Sequence, residues 1–128
     1  MFWAGPLEAR EVPCVTLAEE LRALGEERLD VLKVDVQGHD VAVLRGAGEH
    51  LRSARQVFLE PTWLDLELCA GLVDFAREAG LHHLHVINDM FLGADLLLAR
   101  APVDHPRVRR RFDLRRPLEG LPILPPAT

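Results

Sequence analysis

Five side chains able to do chemistry fall within eight residues: Lys33, Asp35, Gln37, His39 and Asp40. They lie in and just after an apolar run over residues 29–36, with Gly38 between them. The pattern predicts a buried strand, a glycine turn and then a helix. A lysine and a carboxylate are set into the strand; a histidine and a second carboxylate stand at the helix start. Open α/β sheets bind ligands outside the carboxyl ends of their strands, beside helix N-termini. A second apolar run, residues 56–60, closes on Glu60 before Pro61, which puts another carboxylate at the same kind of place. Each residue also has a purely structural use. Asp35 can accept backbone N–H groups of the turn, His39 and Asp40 can cap the helix, and Glu60 can be a solvated strand end.

Lys33 is the only lysine among 15 lysines and arginines. A compact ammonium with an adjustable pKa is not equivalent to a guanidinium, so its survival in an arginine-biased chain suggests a use. The plainer alternative is a strand residue that snorkels its amine to the sheet end. His83 and His85 share a strand face, with Asp89 beyond, but no third strong ligand is spaced to close a metal site.

The chain has 128 residues, 48% hydrophobic and 27% charged, as expected for one globular domain with a core. A net charge of −5 argues against a general nucleic-acid binder. Cys14 and Cys69 are far apart and form no CxxC pair, which excludes a disulfide scaffold and fits a reducing compartment. Residues 1–6 lack the basic start and apolar run of a signal peptide. No stretch reaches the ~18 consecutive apolar residues of a membrane span. The expected location is the cytoplasm.

The elements that must position these residues follow from periodicity. Residues 1–11 read as a leader and 12–15 as a short strand. Thr16 and Glu19 form a capping box, with Leu17, Leu21 and Leu24 at helical spacing and a stop at Gly25. Residues 29–36 make a strand buried on both faces. Asp40 is the expected N-cap of the next helix, with Val41, Leu44, Gly48 and Leu51 inward. Residues 56–60 make a second strand and 67–79 a third helix, with Leu68, Leu72, Phe75 and Ala76 or Ala79 inward. Residues 82–87 and 96–99 are two more strands, joined by a hairpin or longer turn. From Pro102 the pattern dissolves into a flexible Pro/Arg-rich tail, residues 102–128. The order βα, βα, ββ predicts an α/β fold: a parallel sheet with crossover helices and a C-terminal antiparallel hairpin.

The block Leu32-Lys33-Val34-Asp35-Val36-Gln37-Gly38-His39-Asp40, with Val43-Leu44-Arg45-Gly46-Ala47 after it, resembles the FkbM family of S-adenosylmethionine-dependent methyltransferases. Their signature runs L-K-[IV]-D-V-E-G-x-E, then V-L-x-G-A. Val12-Pro13 with Thr16-Leu17, Phe58-Leu59-Glu60, and Phe75 with Ala79-Gly80 are similar to further family segments. Gln37 departs from the usual Glu, and Asp40 keeps a carboxylate where Glu is common. The resemblance covers residues 12–101 and implies a partial class I methyltransferase (Rossmann-like) sheet, its strands 4, 5, 6 and 7. A G-x-G turn, which the family's N-terminal half uses to hold the donor, does not precede residue 29. The expectation is therefore a truncated chain, inactive alone.

By resemblance, the activity is methyl transfer from S-adenosylmethionine to a hydroxyl on a small molecule or sugar. Asp35, His39 and Glu60 are then catalytic candidates, His39 because its ordinary pKa lies near operating pH. Asp35 and Gln37 would be cofactor-binding, Lys33 and Asp40 substrate-side. The expected partners are a hydroxylated acceptor and, along the apolar edge of residues 31–36, either a second copy or a missing N-terminal half; neither nucleic acid nor a membrane is expected. The other reading is a non-catalytic α/β module that binds a partner.

Overall fold

A computed structural model describes residues 8–61, 66–90 and 93–116. Three α-helices, α1 (Leu17–Ala23), α2 (Asp40–Gly46) and α3 (Leu66–Glu78), accompany five strands. The strands are β1 (Val31–Val34), β2 (Gln56–Leu59), β3 (His83–Met90), β4 (Gly93–Ala99) and β5 (Arg110–Asp113). They form one mixed sheet in the order β1-β2-β4-β3-β5. β1 and β2 are parallel, joined through α2 and a 3₁₀ turn at Gly48–Arg52. β4 runs antiparallel to both β2 and β3, so the crossover pair and the closing hairpin expected from the alternation are both present.

The capping box forms as expected. Thr16 Oγ1 accepts the Glu19 N–H at 3.2 Å, and the Glu19 carboxylate accepts the Thr16 N–H at 2.7 Å. The Thr16 N–H and the Thr16 hydroxyl, which donates to the same carboxylate at 2.9 Å, hold the Glu19 carboxyl below its usual pKa. The core lies between α2, α3 and one face of the sheet. Val41, Leu44, Leu51, Leu72 and Ala76 pack there against Leu32, Val34, Val57, Leu59, Leu84, Val86, Leu96 and Leu98. No described helix is long and apolar enough to cross a membrane.

Several expectations are corrected. Residues 12–15 form no strand; Val12 and Val15 are exposed, without a neighbouring strand to pair with. Leu24 is exposed because α1 ends before it. β1 is not buried on both faces: Leu32 and Val34 point into the core while Val31 and Lys33 point away. The reason is that the packed helices share one face, so even an all-apolar strand is half covered. His39, not Asp40, is the N-cap of α2, and its side chain makes no capping bond. Gly48 is exposed because the helix ends at Gly46 and tightens into the 3₁₀ turn. The expected tail carries β5, which pairs antiparallel with β3. Arg110 and Arg111 hid it: charge on an edge strand looks like solvated tail in a sequence, yet is how sheets protect their edges. Residues 117–128, the rest of that tail, lie outside the described residues, as does the side chain of Leu68.

Candidate functional site

Strand alternation decides which side chains meet. Lys33 and Phe58 are cross-strand partners on the sheet face away from the helices. Asp35 and Glu60 continue the same parity past the strand ends. Lys33 Nζ lies 3.0 Å from Glu60 Oε1 and 3.5 Å from Asp35 Oδ2. Gln37 Nε2 donates to Asp35 Oδ1 at 3.1 Å. Four of the six residues singled out from the sequence thus form one connected row, Glu60–Lys33–Asp35–Gln37, at the carboxyl ends of β1 and β2.

The row is half-exposed, and its charges are arranged one cation between two carboxylates. The hydrogen bond and charge of Glu60, followed by those of Asp35, raise the Lys33 pKa above the usual lysine value. Lys33 is therefore a fixed ammonium rather than a tunable base. It holds the carboxylates in place and leaves them lone pairs for hydroxyl donors.

The turn that carries Gln37 is strained. Gln37 has φ 51°, the one non-glycine residue with positive φ among those described, and Gly38 follows at φ 101°. A side chain in this left-handed region costs on the order of 1–3 kcal/mol, and such strain gathers at functional sites. Nothing lies within 4 Å of where a Gly38 Cβ would be, so the backbone there is open to close approach.

The other two candidates sit apart from the row. His39 is exposed at the start of α2. Asp40 is 2% exposed; its Oδ2 accepts the Gly38 N–H at 3.3 Å, while Oδ1 is buried with no protein partner. Asp40 therefore braces the turn from inside. No group of three or more His, Cys, Asp or Glu able to hold a metal ion occurs among the described residues. Both nitrogens of His85 are engaged by backbone, Nδ1 with Leu97 O at 3.2 Å and Nε2 with the Val103 N–H at 3.0 Å.

Beside the row, the open sheet face carries a cavity of about 480 Å³. Lys33 and Glu60 line it together with Phe58, Ile87, Asp95, Leu97 and, from the segment after β4, Val103, His105, Arg107 and Val108. Sequence reasoning missed these. The available signal was that Phe58 and Leu97 are apolar at the strand positions opposite in parity to the core.

The residues fit part of a sulfonium donor's needs. The row carries two carboxylates against one ammonium, which suits a cation, and its turn exposes backbone at Gly38. A comparison with curated proteins and with solved structures finds no match. A family model, described as the methyltransferase FkbM domain, matches residues 4–90, more than half of the sequence and including Lys33, Asp35, Gln37 and Glu60. By that match, the chain belongs to the FkbM methyltransferase domain family.

Proposed function

We propose that this chain takes part in S-adenosylmethionine-dependent O-methylation of a small hydroxylated molecule. The observation that carries the reading is the connected row Glu60–Lys33–Asp35–Gln37 at the ends of two parallel strands, in a chain of this family. The donor, when bound, supplies a methyl group on a positively charged sulfur. Asp35 and Gln37 would hold it, the Asp35 carboxylate offsetting the sulfonium charge. Glu60 accepts the hydrogen bond of the acceptor hydroxyl and takes its proton as the oxygen–carbon bond forms and the carbon–sulfur bond breaks. Lys33 orients both carboxylates. His39, outside the row, is the second candidate base.

The reading includes a partner for β1. That strand is the end of the sheet and pairs only with β2 among the described residues. A bare parallel edge of this kind invites a further strand, from a donor-binding half or a second copy. A cytoplasmic location goes with the same reading and agrees with the free, exposed Cys14 thiol.

The test is calorimetric titration of S-adenosylhomocysteine into the chain, alone and mixed with a donor-binding half from a family member. Saturable binding that weakens in Asp35→Ala is the expected result. Absence of binding under both conditions, with the chain folded, sinks the proposal.

A further inference from the structure

The face of the sheet away from the helices is crossed by residues 101–109, and the cavity beside the row lies beneath that strap. We propose that this cavity is a binding site for a neutral, mainly apolar small molecule that carries a hydroxyl group. The proposal rests on the methyl-transfer reading only in identifying that molecule as the acceptor.

The size suits a small molecule. About 480 Å³ falls inside the roughly 300–1,000 Å³ typical of ligand pockets. Phe58, Ile87 and Leu97 form its apolar floor, from three different strands, and Val103 and Val108 its wall. The charges in its lining cancel, Lys33 and Arg107 against Glu60 and Asp95, so no net field favours an ion of either sign. The hydroxyl requirement comes from Glu60. It meets Lys33 through Oε1, and a carboxylate has lone pairs beyond that one bond. A ligand with its body on Phe58 and its hydroxyl at Glu60 would place that oxygen at the end of the row.

The wall is fastened to the sheet. His85, 1% exposed on β3, donates from Nδ1 to Leu97 O and accepts the Val103 N–H at Nε2. Arg111 of β5, its cross-strand neighbour, donates to Val103 O at 3.4 Å and to Asp104 Oδ1 at 2.9 Å. Burial is the largest cause that lowers the His85 pKa; the Leu97 bond opposes it, and His83 and Arg111 add to it. The neutral ring with its proton on Nδ1 is thus the form that holds the strap. A strap held this way leaves room for a small molecule, whereas a stable protein interface needs about 800 Å² of free surface on each side. A second copy or a partner helix would have to displace it.

N-phenyl-1-naphthylamine, a neutral apolar fluorophore, tests the site when titrated into the full chain at pH 7.5. The expected result is saturable one-to-one binding with blue-shifted emission. Val108→Arg, which puts an unpaired charge into the wall from a loop position, should weaken that binding at least about tenfold, with the urea midpoint unchanged. Binding without a one-to-one limit, or equal affinity in Val108→Arg and Phe58→Ala, overturns the site. So does fluorescence that falls as the chain self-associates in sedimentation, since the cavity is then an interface between copies. Added S-adenosylhomocysteine separates the two readings. If it binds and leaves the fluorophore in place, the acceptor assignment stands; if it displaces the fluorophore, that assignment fails. Failure of S-adenosylhomocysteine to bind both to the chain alone and to its mixture with a donor-binding half removes the methyl-transfer reading and leaves the fluorophore result to judge the cavity.

Discussion

The two ends of the parallel pair β1–β2 are built to opposite specifications. At the amino end, Arg100 follows β4 and gathers the chain. Its guanidinium donates to Ala54 O at 2.7 Å, Ala79 O at 2.8 Å, Gly80 O at 3.4 Å and also to Arg52 O. A Cβ at Gly80 would come within 2.6 Å of Arg100 Nη1, so a side chain there would push the guanidinium aside, and the φ of 75° favours glycine in its own right. Arg100 is consumed there in closing the fold, although His50 Nδ1 and His82 Nδ1, at the same end, are buried without a protein partner. At the carboxyl end charged groups are kept available instead: a half-exposed ionic row beside a glutamine at positive φ. Backbone strain of this kind concentrates where a protein binds or reacts.

The sharpest way to break the comparison is at Arg100. Arg100→Ala leaves backbone carbonyls from two loops and the end of α3 without their donor. Unfolding in urea should show a loss of about 2–4 kcal/mol, with ligand binding by the folded fraction retained. Arg100→Lys should recover only part, because one ammonium cannot fork to carbonyls that a planar guanidinium spans.

The next effect is a pH dependence centred on His85. Its folded pKa lies below the unfolded value, so its contribution to stability is complete above about 6.5 and is lost as pH falls through the lowered folded value. The groups that face it are His83 on its own strand and Arg111 on β5, the latter paired with Asp104. Asp113, opposite His83, is held ionised well below the usual range by Arg115, so it does not titrate in this window. The protection of the Val103 N–H against hydrogen exchange, relative to its intrinsic rate at each pH, should fall between pH 7 and pH 5, ahead of that of the Leu114 N–H, which bonds His82 O. Equal loss of protection at both amides would mean that the sheet frays as a whole and His85 fastens nothing.

How much was legible in the sequence follows the same division. The crossover pair, the hairpin and the inward stripes apart from Leu24 and Gly48 could be read because apolar spacing maps directly onto strand and helix periods. The row could be read in part, since Lys33, Asp35 and Gln37 alternate along a strand and Glu60 ends the next. Three things could not. β5 is legible only through Phe112 and Leu114, too few apolar positions to stand out among arginines. The exchange of roles between His39 and Asp40 depends on where a strained turn releases the chain into α2. The cavity depends on a strap fastened by His85, a residue whose partners, Leu97 O and the Val103 N–H, are backbone groups that no side-chain pattern reports.

Gln37→Gly sharpens the comparison with a smaller effect of opposite sign. Glycine relieves the positive φ at the cost of extra freedom in the unfolded chain, for a net gain of about 0.5–1 kcal/mol. The same change removes the amide that holds Asp35 Oδ1, so S-adenosylhomocysteine binding should weaken as stability rises. A variant that is both more stable and binds as before would mean that the strain serves no site.

The smallest effect on stability, and the most diagnostic, is at Lys33. Its ion pairs with Glu60 and Asp35 are solvent-exposed, and exposed pairs add little to folding. Lys33→Met should therefore leave the urea midpoint where it was. On the methyl-transfer reading it should still lower turnover by about 10- to 100-fold in the mixture with a donor-binding half, because it frees two carboxylates to repel and swing apart. Lys33→Arg keeps the charge but changes its shape, and recovers turnover only if charge, not reach, is what the row requires. An unchanged turnover in Lys33→Met would make the row a solvated sheet end like any other. It would also erase the contrast with Arg100, where a cation bonded to backbone carbonyls is expected to matter to the fold alone.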